Sequence, residues 1–336
     1  MKNLSFVDKI LYLVNSLLAT LLLFSYLLPY VSPNTIPVLA VLSLFVPVLL
    51  FINLGFVIYW LIKLKRRLTL SLTVLIIGWF IITPFYKISS NSSSLNNDLK
   101  IMSYNVKTFD LFTKKQENAS FENGFEFISD KNPDILAVQE YYKSSKINLN
   151  FPYKYVKLKS RNNKFGMAIY SKFKIINSGS LDFKNTANNI IFTDIIKEKD
   201  TIRIYNIHLE SLRIKPNEEN FGQKNSEKLI KRMSGTFKKQ AAQLELFLAH
   251  EKQWKGKKIV CGDFNNTAYS WIYNQVSKNK KDTFLEAGKG FGKTYNYWFP
   301  MRIDFILTDD EAIINQFNSF SVGYSDHYPV MSKVNW

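Results

Sequence analysis

The chain has 336 residues, 44 basic and 27 acidic, and a formal net charge of +17. Its single cysteine, Cys261, excludes an intrachain disulfide. The length excludes one small domain, and most of the unbroken apolar runs lie before Tyr86. Seven basic residues and one acidic residue precede position 89, so the remainder holds 37 basic and 26 acidic residues, a net charge of +11. That charge favours anionic partners, namely phosphate esters, nucleic acid or anionic lipid.

The amino-terminal part contains three segments without a charged residue, at residues 10–30, 36–62 and 68–86. Each has about 20 residues or more, enough to cross a ~30 Å hydrocarbon core as a helix. A cleaved signal peptide is the alternative for the first segment, but its apolar core is too long and no small-residue cleavage site precedes Pro33. The sequence therefore predicts three transmembrane helices, the second kinked by Pro47.

The loops between these segments predict the orientation, because basic loops stay in the cytoplasm. Residues 63–67 contain four cations, whereas residues 31–35 contain no charge. We therefore expect the amino terminus inside and the chain beyond residue 88 on the extracytoplasmic side. The serine- and asparagine-rich residues 89–97 are typical of a flexible tether. The expected organisation is an anchor at residues 1–88, a tether at 89–98 and a second domain at 99–336.

The second domain alternates short apolar runs with polar turns and two helical patterns. The runs predict strands at residues 101–106, 134–140, 165–171, 190–196, 202–209 and 259–261. Helices are expected at residues 122–131 and 224–250, where apolar residues recur at helical spacing. Residues 302–307 and 324–330 close the chain, and no internal repeat stands out.

Polar side chains recur at the ends of these apolar strands. Asn105, Glu140 and His208 each end a predicted strand, and Asp263 and Asn265 follow the run at residues 259–261. Asp263 and Asn265 share a face if the chain stays extended beyond Gly262. A carboxylate beside an amide can hold a water, a phosphate oxygen or a hard metal ion, although the same residues are also common in turns. A packed sheet places such strand ends on one rim.

Six motifs in this order closely resemble the endonuclease/exonuclease/phosphatase superfamily. They are Ser103-Tyr-Asn105, Pro133-Asp-Ile-Leu-Ala-Val-Gln-Glu140, Asn206-Ile-His-Leu209, Gly262-Asp-Phe-Asn265, Arg302-Ile-Asp304 and Ser325-Asp-His-Tyr-Pro329. The resemblance extends over residues 99–336. It implies an α/β fold, a four-layer αββα sandwich of two mainly antiparallel sheets, here preceded by the three predicted transmembrane helices. It also implies hydrolysis of a phosphate ester with a divalent metal, usually Mg²⁺, with Mn²⁺ or another divalent cation as alternatives.

The resemblance also implies a role for each matching residue. Glu140 resembles the principal metal ligand, and Asn105 and Asp326 resemble residues that serve the metal directly or through water. Asp263 and Asn265 resemble the pair that orients the water and the scissile phosphate. His327 with its carboxylate partner Asp304, and the second histidine His208, complete the implied catalytic set.

These residue types suit the chemistry. A phosphodiester is anionic and repels hydroxide, so a site must neutralise charge and hold water in line with the leaving oxygen. Mg²⁺ takes few carboxylates, keeps several waters and accepts phosphate oxygens. Asp304 is expected to fix the tautomer of His327 and raise its pKa. Both Asp263 and His327 satisfy the requirements for activating water; we favour Asp263 for water and His327 for phosphate.

Several other residues have plainer interpretations. His250 ends a helix and falls in no motif, and Cys261 is expected in the core. Arg302 either contacts phosphate or pairs with an acid. The aromatic residues at positions 295–299 are expected to pack, with stacking on a base or insertion into lipid as the alternatives.

The sequence leaves three functions open: two classes of enzyme and a domain without catalytic activity. A membrane anchor favours a phosphodiesterase acting on a lipid headgroup or small phosphoester, since it holds the site near headgroups. A nuclease acting on DNA or RNA would instead use the basic surface along a phosphate backbone. An inactive binding or scaffold domain is the third reading, but the motif positions are all occupied by the expected side chains. The expected partners are thus a phosphate ester, the membrane and, in the nuclease reading, nucleic acid.

Overall fold

The computed structural model describes residues 5–88, 97–110, 119–144, 149–160, 162–213 and 223–336. The chain divides into two units. The first contains residues 1–85, 214–241 and 267–274, and the second contains residues 86–213, 242–266 and 275–336. The predicted tether at residues 89–98 lies outside the described residues except for Asn97 and Asp98.

Apolar helices form the amino-terminal part of the first unit. They are α1 (Phe6–Ser25), α2 (Pro37–Leu42), α3 (Val46–Ile62) and α4 (Leu68–Ile81). With their short connecting 3-10 turns they give two segments long enough to cross a membrane, Phe6–Tyr30 with 25 residues and Pro37–Ile62 with 26. Helix α4 has only 14 residues, ~21 Å at 1.5 Å per residue, against a core of ~30 Å. Within its described residues the structure therefore contains two helices of membrane-spanning length where the sequence predicts three, because the helical part of the third apolar run ends at Ile81.

Pro47 interrupts the second apolar segment, as predicted. It stands in the first turn of α3, where the missing N–H has no intrahelical partner to lose. The preceding residues Ser43–Phe45 form a 3-10 turn instead of continuing the α-helix. The segment is therefore broken into α2 and α3.

A buried polar network joins three of these helices. Asn15 of α1 donates to Ser71 of α4, and the Ser71 hydroxyl donates to Asn53 of α3 (2.8 Å). The Trp60 indole donates to the side-chain oxygen of Asn15 (2.9 Å). These polar groups are satisfied only when α1, α3 and α4 pack in one register, so the network specifies their packing.

Two six-stranded sheets form the second unit. The first, in the order β11-β12-β1-β2-β4-β3, contains β1 (Leu99–Asn105), β2 (Ile135–Tyr142), β3 (Tyr153–Leu158), β4 (Phe165–Ser171), β11 (Ile313–Ser319) and β12 (Val330–Asn335). The second, in the order β5-β6-β7-β8-β10-β9, contains β5 (Ile175–Ser180), β6 (Asn189–Lys197), β7 (Asp200–His208), β8 (Lys257–Asp263), β9 (Lys280–Asp282) and β10 (Asp304–Asp309).

Each sheet is antiparallel except for its central pair. Strand β1 runs parallel to β2, and β7 runs parallel to β8. The carboxyl ends of a parallel pair meet at one edge, so each sheet brings two strand ends together there. Asn105, His208 and Asp263 are the last residues of their strands, and Glu140 lies two residues before the end of β2.

The main core lies between the sheets, with a helix on each outer face. Ile101, Ile169, Ile204 and Ile306 belong to the buried cluster between them. Helix α5 (Ala119–Lys131) packs on the outer face of the first sheet through Ile128. Helix α6 (Gln223–Glu251) packs on the second sheet, where the ring of Phe247 meets Tyr205 edge-on at 5.1 Å. Short helices α7 (Trp271–Val276) and α8 (Thr283–Ala287) complete the chain. Two mainly antiparallel sheets with outer helices confirm the predicted α/β sandwich.

The close approach of β7 and β8 requires glycine at position 262. Gly262 has φ +136°, and a Cβ there would lie 2.0 Å from the carbonyl oxygen of Ile207. We expect Gly262→Ala to lower the free energy of unfolding by about 2–4 kcal/mol, from backbone strain and overpacking together. The check is thermal unfolding of the full-length protein.

Gly235 provides the matched control for this substitution. It lies within α6, and a Cβ there meets nothing within 4 Å. Gly235→Ala should raise stability by about 1 kcal/mol, because alanine is the better helix former. Equal effects of the two substitutions would contradict the proposed requirement for glycine at position 262.

Candidate active site

Seven of the eight residues singled out from the sequence form one contact cluster at the shared rim of the two sheets. The first sheet contributes Asn105 and Glu140, and the second contributes His208, Asp263, Asn265 and Asp304. His327 lies in the loop before β12, between Asp263 and Asp304. Residues up to 222 positions apart in the chain thus line one site.

A bulge in β2 directs Glu140 toward the site. The register between β2 and β4 shifts between Val138 and Tyr141, and Glu140 has φ +49°. A bulge re-aims the side chain it carries, and a positive φ in a residue other than glycine requires support from its surroundings. The side chain of Glu140 remains 40% exposed, so its carboxylate is accessible from solvent.

Asn105 connects the two sheets through its side-chain amide. Its Nδ2 donates to Asp263 Oδ2 (3.0 Å) and to Glu140 Oε1 (3.3 Å). The residue is 1% exposed. Its side-chain oxygen accepts from the backbone N–H of Lys107 (3.1 Å), which fixes the orientation of the amide.

A turn, not an extended strand, brings Asn265 back to Asp263. Asp263 Oδ1 accepts from the backbone N–H of Asn265 (2.8 Å), and Oδ2 accepts from its side-chain amide (3.1 Å). Asn265 has φ +50°, which asparagine tolerates well. The expectation of an extended conformation beyond Gly262 is therefore wrong. The two side chains nevertheless contact each other, because the turn brings them together. Asn265 also donates to the carbonyl of Leu209 (3.0 Å).

His327 and Asp304 form a buried pair. His327 Nδ1 lies 3.0 Å from Asp304 Oδ2, and its Nε2 lies 3.7 Å from Asp263 Oδ2. Burial by itself lowers the pKa of His327, but the carboxylates of Asp304 and Asp263 outweigh it and raise that pKa to about 10. The imidazole therefore carries its proton at neutral pH.

Asp263 sits at the centre of this charge arrangement. Burial raises its pKa to about 6; His327 and His208 oppose the increase, whereas Asp304 adds to it. A carboxylate with a raised pKa is a stronger base than an exposed one. Asp263 is thus suited to accept a proton near neutral pH.

His208 presents an unsatisfied nitrogen to the same space. Its Nε2 is buried and has no hydrogen-bond partner among the described residues. It lies 3.7 Å from Asp263 Oδ2 and 3.8 Å from Glu140 Oε1. A buried polar atom without a partner is typical of a site that a ligand or water completes.

Asp326 is attached to the cluster indirectly. Its Oδ2 pairs with Lys107 Nζ (3.0 Å). The neighbouring Ser325 hydroxyl donates to the carbonyl of Asn105 (2.8 Å) and accepts from the backbone N–H of His327 (3.2 Å). Asp326 therefore shares its charge with a lysine that sequence analysis did not single out. Lys107 follows the strand in a left-handed turn, φ +42°, which strand patterns do not reveal.

Gln139 and Asn206 lie beneath the site and were also not singled out. Gln139 Nε2 donates to Asn206 Oδ1 (2.6 Å), and Asn206 donates to the carbonyls of Val138 and Ala168 (3.0 Å each). Both are completely buried. This link between the sheets fixes the spacing of the residues above it. Both residues lie within motifs of the family resemblance, and this position is the sequence signal that could have identified them.

The oxygen donors at the rim fit a hard divalent cation. Glu140 offers an accessible carboxylate, Asn105 an amide oxygen, and Asp326 a second carboxylate, the donor types that Mg²⁺ and Mn²⁺ prefer. Asp263, Asp304 and His327 form another possible group, with ligand atoms within 4.8 Å of one another. That group is buried. The side chain of Glu140 is 40% exposed and open to a hydrated ion, so Glu140 is the better candidate ligand.

The remaining singled-out residues lie in structural contacts. Tyr205 Oη lies 3.0 Å from His250 Nδ1. Arg302 pairs with Asp282 (2.6 Å), the second of the two alternatives given for it above. Among the aromatic residues, Phe299 is buried, whereas Trp298 is 77% exposed. Packing thus accounts for part of that cluster only.

Cys261 is expected to be unreactive in the native protein. It is completely buried in β8, its thiol donates to the carbonyl of Tyr205 (3.3 Å), and burial raises its pKa to about 12. At pH 8 the thiol stays protonated, and the thiolate is the reactive form. We expect no reaction with a disulfide reagent in buffer and one thiol per chain in denaturant. Rapid native labelling would contradict this placement.

Comparison with known families and structures gives two family matches. The model of the Endonuclease/Exonuclease/phosphatase family matches residues 102–327. A domain of unknown function, DUF8431, matches residues 8–85. No curated protein matches the chain.

Solved structures of the same fold include proteins with different substrates. Humanized TDP2 from D. rerio superposes with a TM-score of 0.55 at 16% identity, covering 72% of this chain and 100% of that one. The mannosyl-6-phosphatase of Bacteroides thetaiotaomicron gives 0.51 at 16%, covering 71% and 100%. The 3′ phosphatase NExo from Neisseria, bound to a product DNA hairpin, gives 0.50 at 18%, covering 71% and 100%. At these identities the likeness establishes the fold.

Proposed function

Because the chain belongs to the Endonuclease/Exonuclease/phosphatase family, we propose that it is a divalent-metal-dependent hydrolase of phosphate esters. The observation that carries this proposal is the contact from Asn105 to both Glu140 and Asp263, with His327 on the other side of Asp263. Three groups therefore surround one space: the carboxylate of Glu140 for a cation, the basic carboxylate of Asp263 and the protonated imidazole of His327. Hydrolysis of a phosphate ester needs these three functions together.

Glu140 and Asn105 are the proposed residues for the cation, with Asp326 acting through water because its carboxylate is paired with Lys107. The bound ion would supply charge neutralisation for the phosphate oxygens. The 40% exposure of the Glu140 side chain supports its access to a hydrated ion. Mg²⁺ is the proposed metal, and Mn²⁺ is the natural spectroscopic substitute.

Asp263 and His327 divide the proton chemistry. Asp263, with its raised pKa, accepts the proton of the attacking water, and Asn265 orients that carboxylate. His327 stays protonated beside Asp304 and faces the phosphate as a cation and hydrogen-bond donor. The unsatisfied Nε2 of His208 is available for a further phosphate oxygen. This division supports Asp263 over His327 as the group that activates water.

We propose a phosphodiesterase acting on a lipid headgroup or a small phosphoester. A nuclease acting on DNA or RNA is the second candidate. The net charge of +11 from residue 89 onward favours a polyanion, and the fold is similar to that of NExo, a 3′ phosphatase bound to a product DNA hairpin. An inactive scaffold is disfavoured, because a protein without catalysis has no need to keep a buried, charged dyad at the rim.

An assay of the full-length protein with Mg²⁺ tests the proposal. The substrates are single- and double-stranded DNA, RNA, sphingomyelin, phosphoinositides and simple phosphate mono- and diesters. Hydrolysis abolished by chelator and restored by Mg²⁺ is the expected result. Absence of metal-dependent hydrolysis of every substrate would overturn the proposal, and so would a Glu140→Ala protein as active as the parent.

We propose that the segments Phe6–Tyr30 and Pro37–Ile62 anchor the chain in a membrane. The proposed domains remain an anchor at residues 1–88, a tether at 89–98 and a catalytic domain at 99–336. The basic loop at residues 63–67 keeps its expected cytoplasmic place. Two crossings return the chain to the cytoplasm, so the extracytoplasmic placement requires residues 68–86 to cross as well.

A reporter fused after Trp336 measures the side of the membrane. An enzyme active only outside the cytoplasm should report activity if residues 68–86 cross, as the charge pattern predicts. Activity of a reporter that works only in the cytoplasm would contradict the extracytoplasmic placement. It would mean that only the segments Phe6–Tyr30 and Pro37–Ile62 cross the membrane. A fusion after Arg67 is the control, and it should report a cytoplasmic location in both cases.

A further inference from the structure

A cleft of about 610 Å³ lies in the second unit, beside the candidate site. Its walls come from β3 with the turn that follows it and from the loop between β5 and β6. Representative lining residues are Lys157, Lys159, Met167, Phe183, Asn188 and Asn189. None of them belongs to the set that performs the proposed chemistry.

Strand directions place the cleft on the same rim as that set. Strand β4 is antiparallel to β2 and β3 is antiparallel to β4, so Leu158 lies opposite Gly166, next to Tyr141 at the end of β2. In the other sheet, Asn189 lies opposite His208. The cleft therefore begins beside the ends of β2 and β7, where Glu140 and His208 stand.

One carbonyl oxygen joins the cleft to the catalytic residues. The carbonyl of Leu209 accepts from the side-chain amide of Asn188, a lining residue (2.8 Å), and from that of Asn265 (3.0 Å). Asn188 is 7% exposed. The Thr186 hydroxyl donates to its side-chain oxygen and accepts from its backbone N–H (3.1 Å each). The wall of the cleft is thus fixed relative to Asn265.

Two lysines, Lys157 and Lys159, line the cleft. Lys157 is paired with Asp182 (2.8 Å), so it adds little net charge. Lys159 is exposed, and its backbone N–H donates to the carbonyl of Phe165 (2.9 Å). Lys159 is therefore the exposed cation of the cleft lining.

The lining of the cleft also contains apolar and amide groups. Met167 and Phe183 contribute apolar surface, the side-chain amide of Asn188 donates to the carbonyl of Leu209, and that of Asn189 donates to the Ser180 hydroxyl. Such a surface fits the carbon skeleton of an alcohol or sugar, with an anion at its outer end. From this arrangement we infer that the cleft binds the part of the ester beyond the scissile phosphate, and that Lys159 selects substrates with a second phosphate group.

This inference rests on the proposed phosphoesterase function and specifies its substrate class. A second phosphate occurs both in nucleotides and in phosphorylated lipid headgroups, so the test uses one matched pair from each source. The first pair is thymidine 5′-(p-nitrophenyl phosphate) with and without a 3′-phosphate. The second pair is glycerophosphoinositol with and without a phosphate on the ring.

The quantity measured is the ratio of kcat/KM between the members of each pair. The wild-type protein should prefer the doubly phosphorylated member of at least one pair, and the preferred pair identifies the source. Lys159→Ala should lower that ratio about fivefold, the effect of one exposed ion pair, with the singly phosphorylated member unchanged. Ala187→Trp, which fills the cleft, should lower kcat/KM for both members.

Lys154→Ala is the matched control, since Lys154 is an exposed lysine of β3 outside the cleft. A ratio near one in both pairs, or equal ratios for Lys159→Ala and wild type, would overturn the inference. A wild-type protein that hydrolyses none of the four compounds counts against the proposed function instead. Equilibrium dialysis of thymidine 3′,5′-bisphosphate without metal then tests the cleft alone, and binding unaffected by Lys159→Ala would exclude it.

Discussion

Glu140→Gln should lower the rate of metal-dependent hydrolysis by about three orders of magnitude. A bound divalent ion contributes several kcal/mol to stabilising the charge of the reacting phosphate, and each ~1.4 kcal/mol corresponds to a factor of ten. The substitution keeps the shape of the side chain and its contact with Asn105 but removes the negative charge. The measurement is kcat/KM for the best substrate at saturating Mg²⁺.

The loss should accompany weaker metal binding. Mn²⁺ affinity, followed by the spectrum of the free ion, should fall by at least about 10- to 100-fold, which is the effect of mutating even an outer-shell partner. Glu126→Gln is the control, because Glu126 is exposed on α5. If Asp304→Asn abolished Mn²⁺ binding while Glu140→Gln left it unchanged, the buried group of Asp263, Asp304 and His327 would be the metal site instead.

The positions of Asn105, Glu140 and His208 could be predicted from sequence because each ends an apolar run. A buried strand is visible as such a run, and a polar residue at its end lies at the edge of the sheet. The contact between Asn105 and Asp263, 158 positions apart, has no local signal. Only the order of the motifs, through the family resemblance, indicated that these residues meet.

The strands that sequence analysis did not predict lie at or near sheet edges. Strands β3 and β5 contain only exposed and half-buried residues, without the alternation of a strand that buries one face. Such strands are stabilised by pairing with a neighbour, so their sequences carry little pattern of their own. The same reason explains why the cleft between β3 and the loop after β5 was not anticipated.

Local backbone geometry accounts for the other differences. Asn265 turns back through a positive φ and Glu140 is re-aimed by a bulge, and neither follows from the alternation of a regular strand. Helix α4 ends at Ile81 although the apolar run continues. Hydropathy records where charge is absent, not where helical hydrogen bonds end.

The second large effect is expected for the pair His327 and Asp304. His327→Gln should lower kcat by about 10²–10⁴-fold, the usual contribution of a positioned proton-transfer or hydrogen-bonding group. Asp304→Asn keeps a side-chain oxygen near Nδ1 but removes the charge that raises the pKa of His327. Its effect should therefore depend on pH.

The sign of that dependence follows from the raised pKa. In the wild type the imidazole stays protonated until the pH approaches about 10, so activity that needs the cation should persist to high pH. In Asp304→Asn the pKa of His327 falls. The alkaline loss of activity should therefore begin at a lower pH than in the wild type. The same charge stabilises the fold: that contribution is complete below the unfolded value of ~6.5 and is lost as the pH rises through about 10.

Two measurements separate a catalytic from a purely structural role of this pair. The pH profile of kcat should lose its alkaline range in Asp304→Asn, whereas Asp310→Asn, an exposed acid after β10, should keep the wild-type profile. Thermal unfolding in chelator should show that Asp304→Asn loses most stability relative to wild type at neutral pH and least near pH 10. If both proteins had the same alkaline limit of activity, His327 would not act as a cation. Asp263 would then hold the only proton function at the rim.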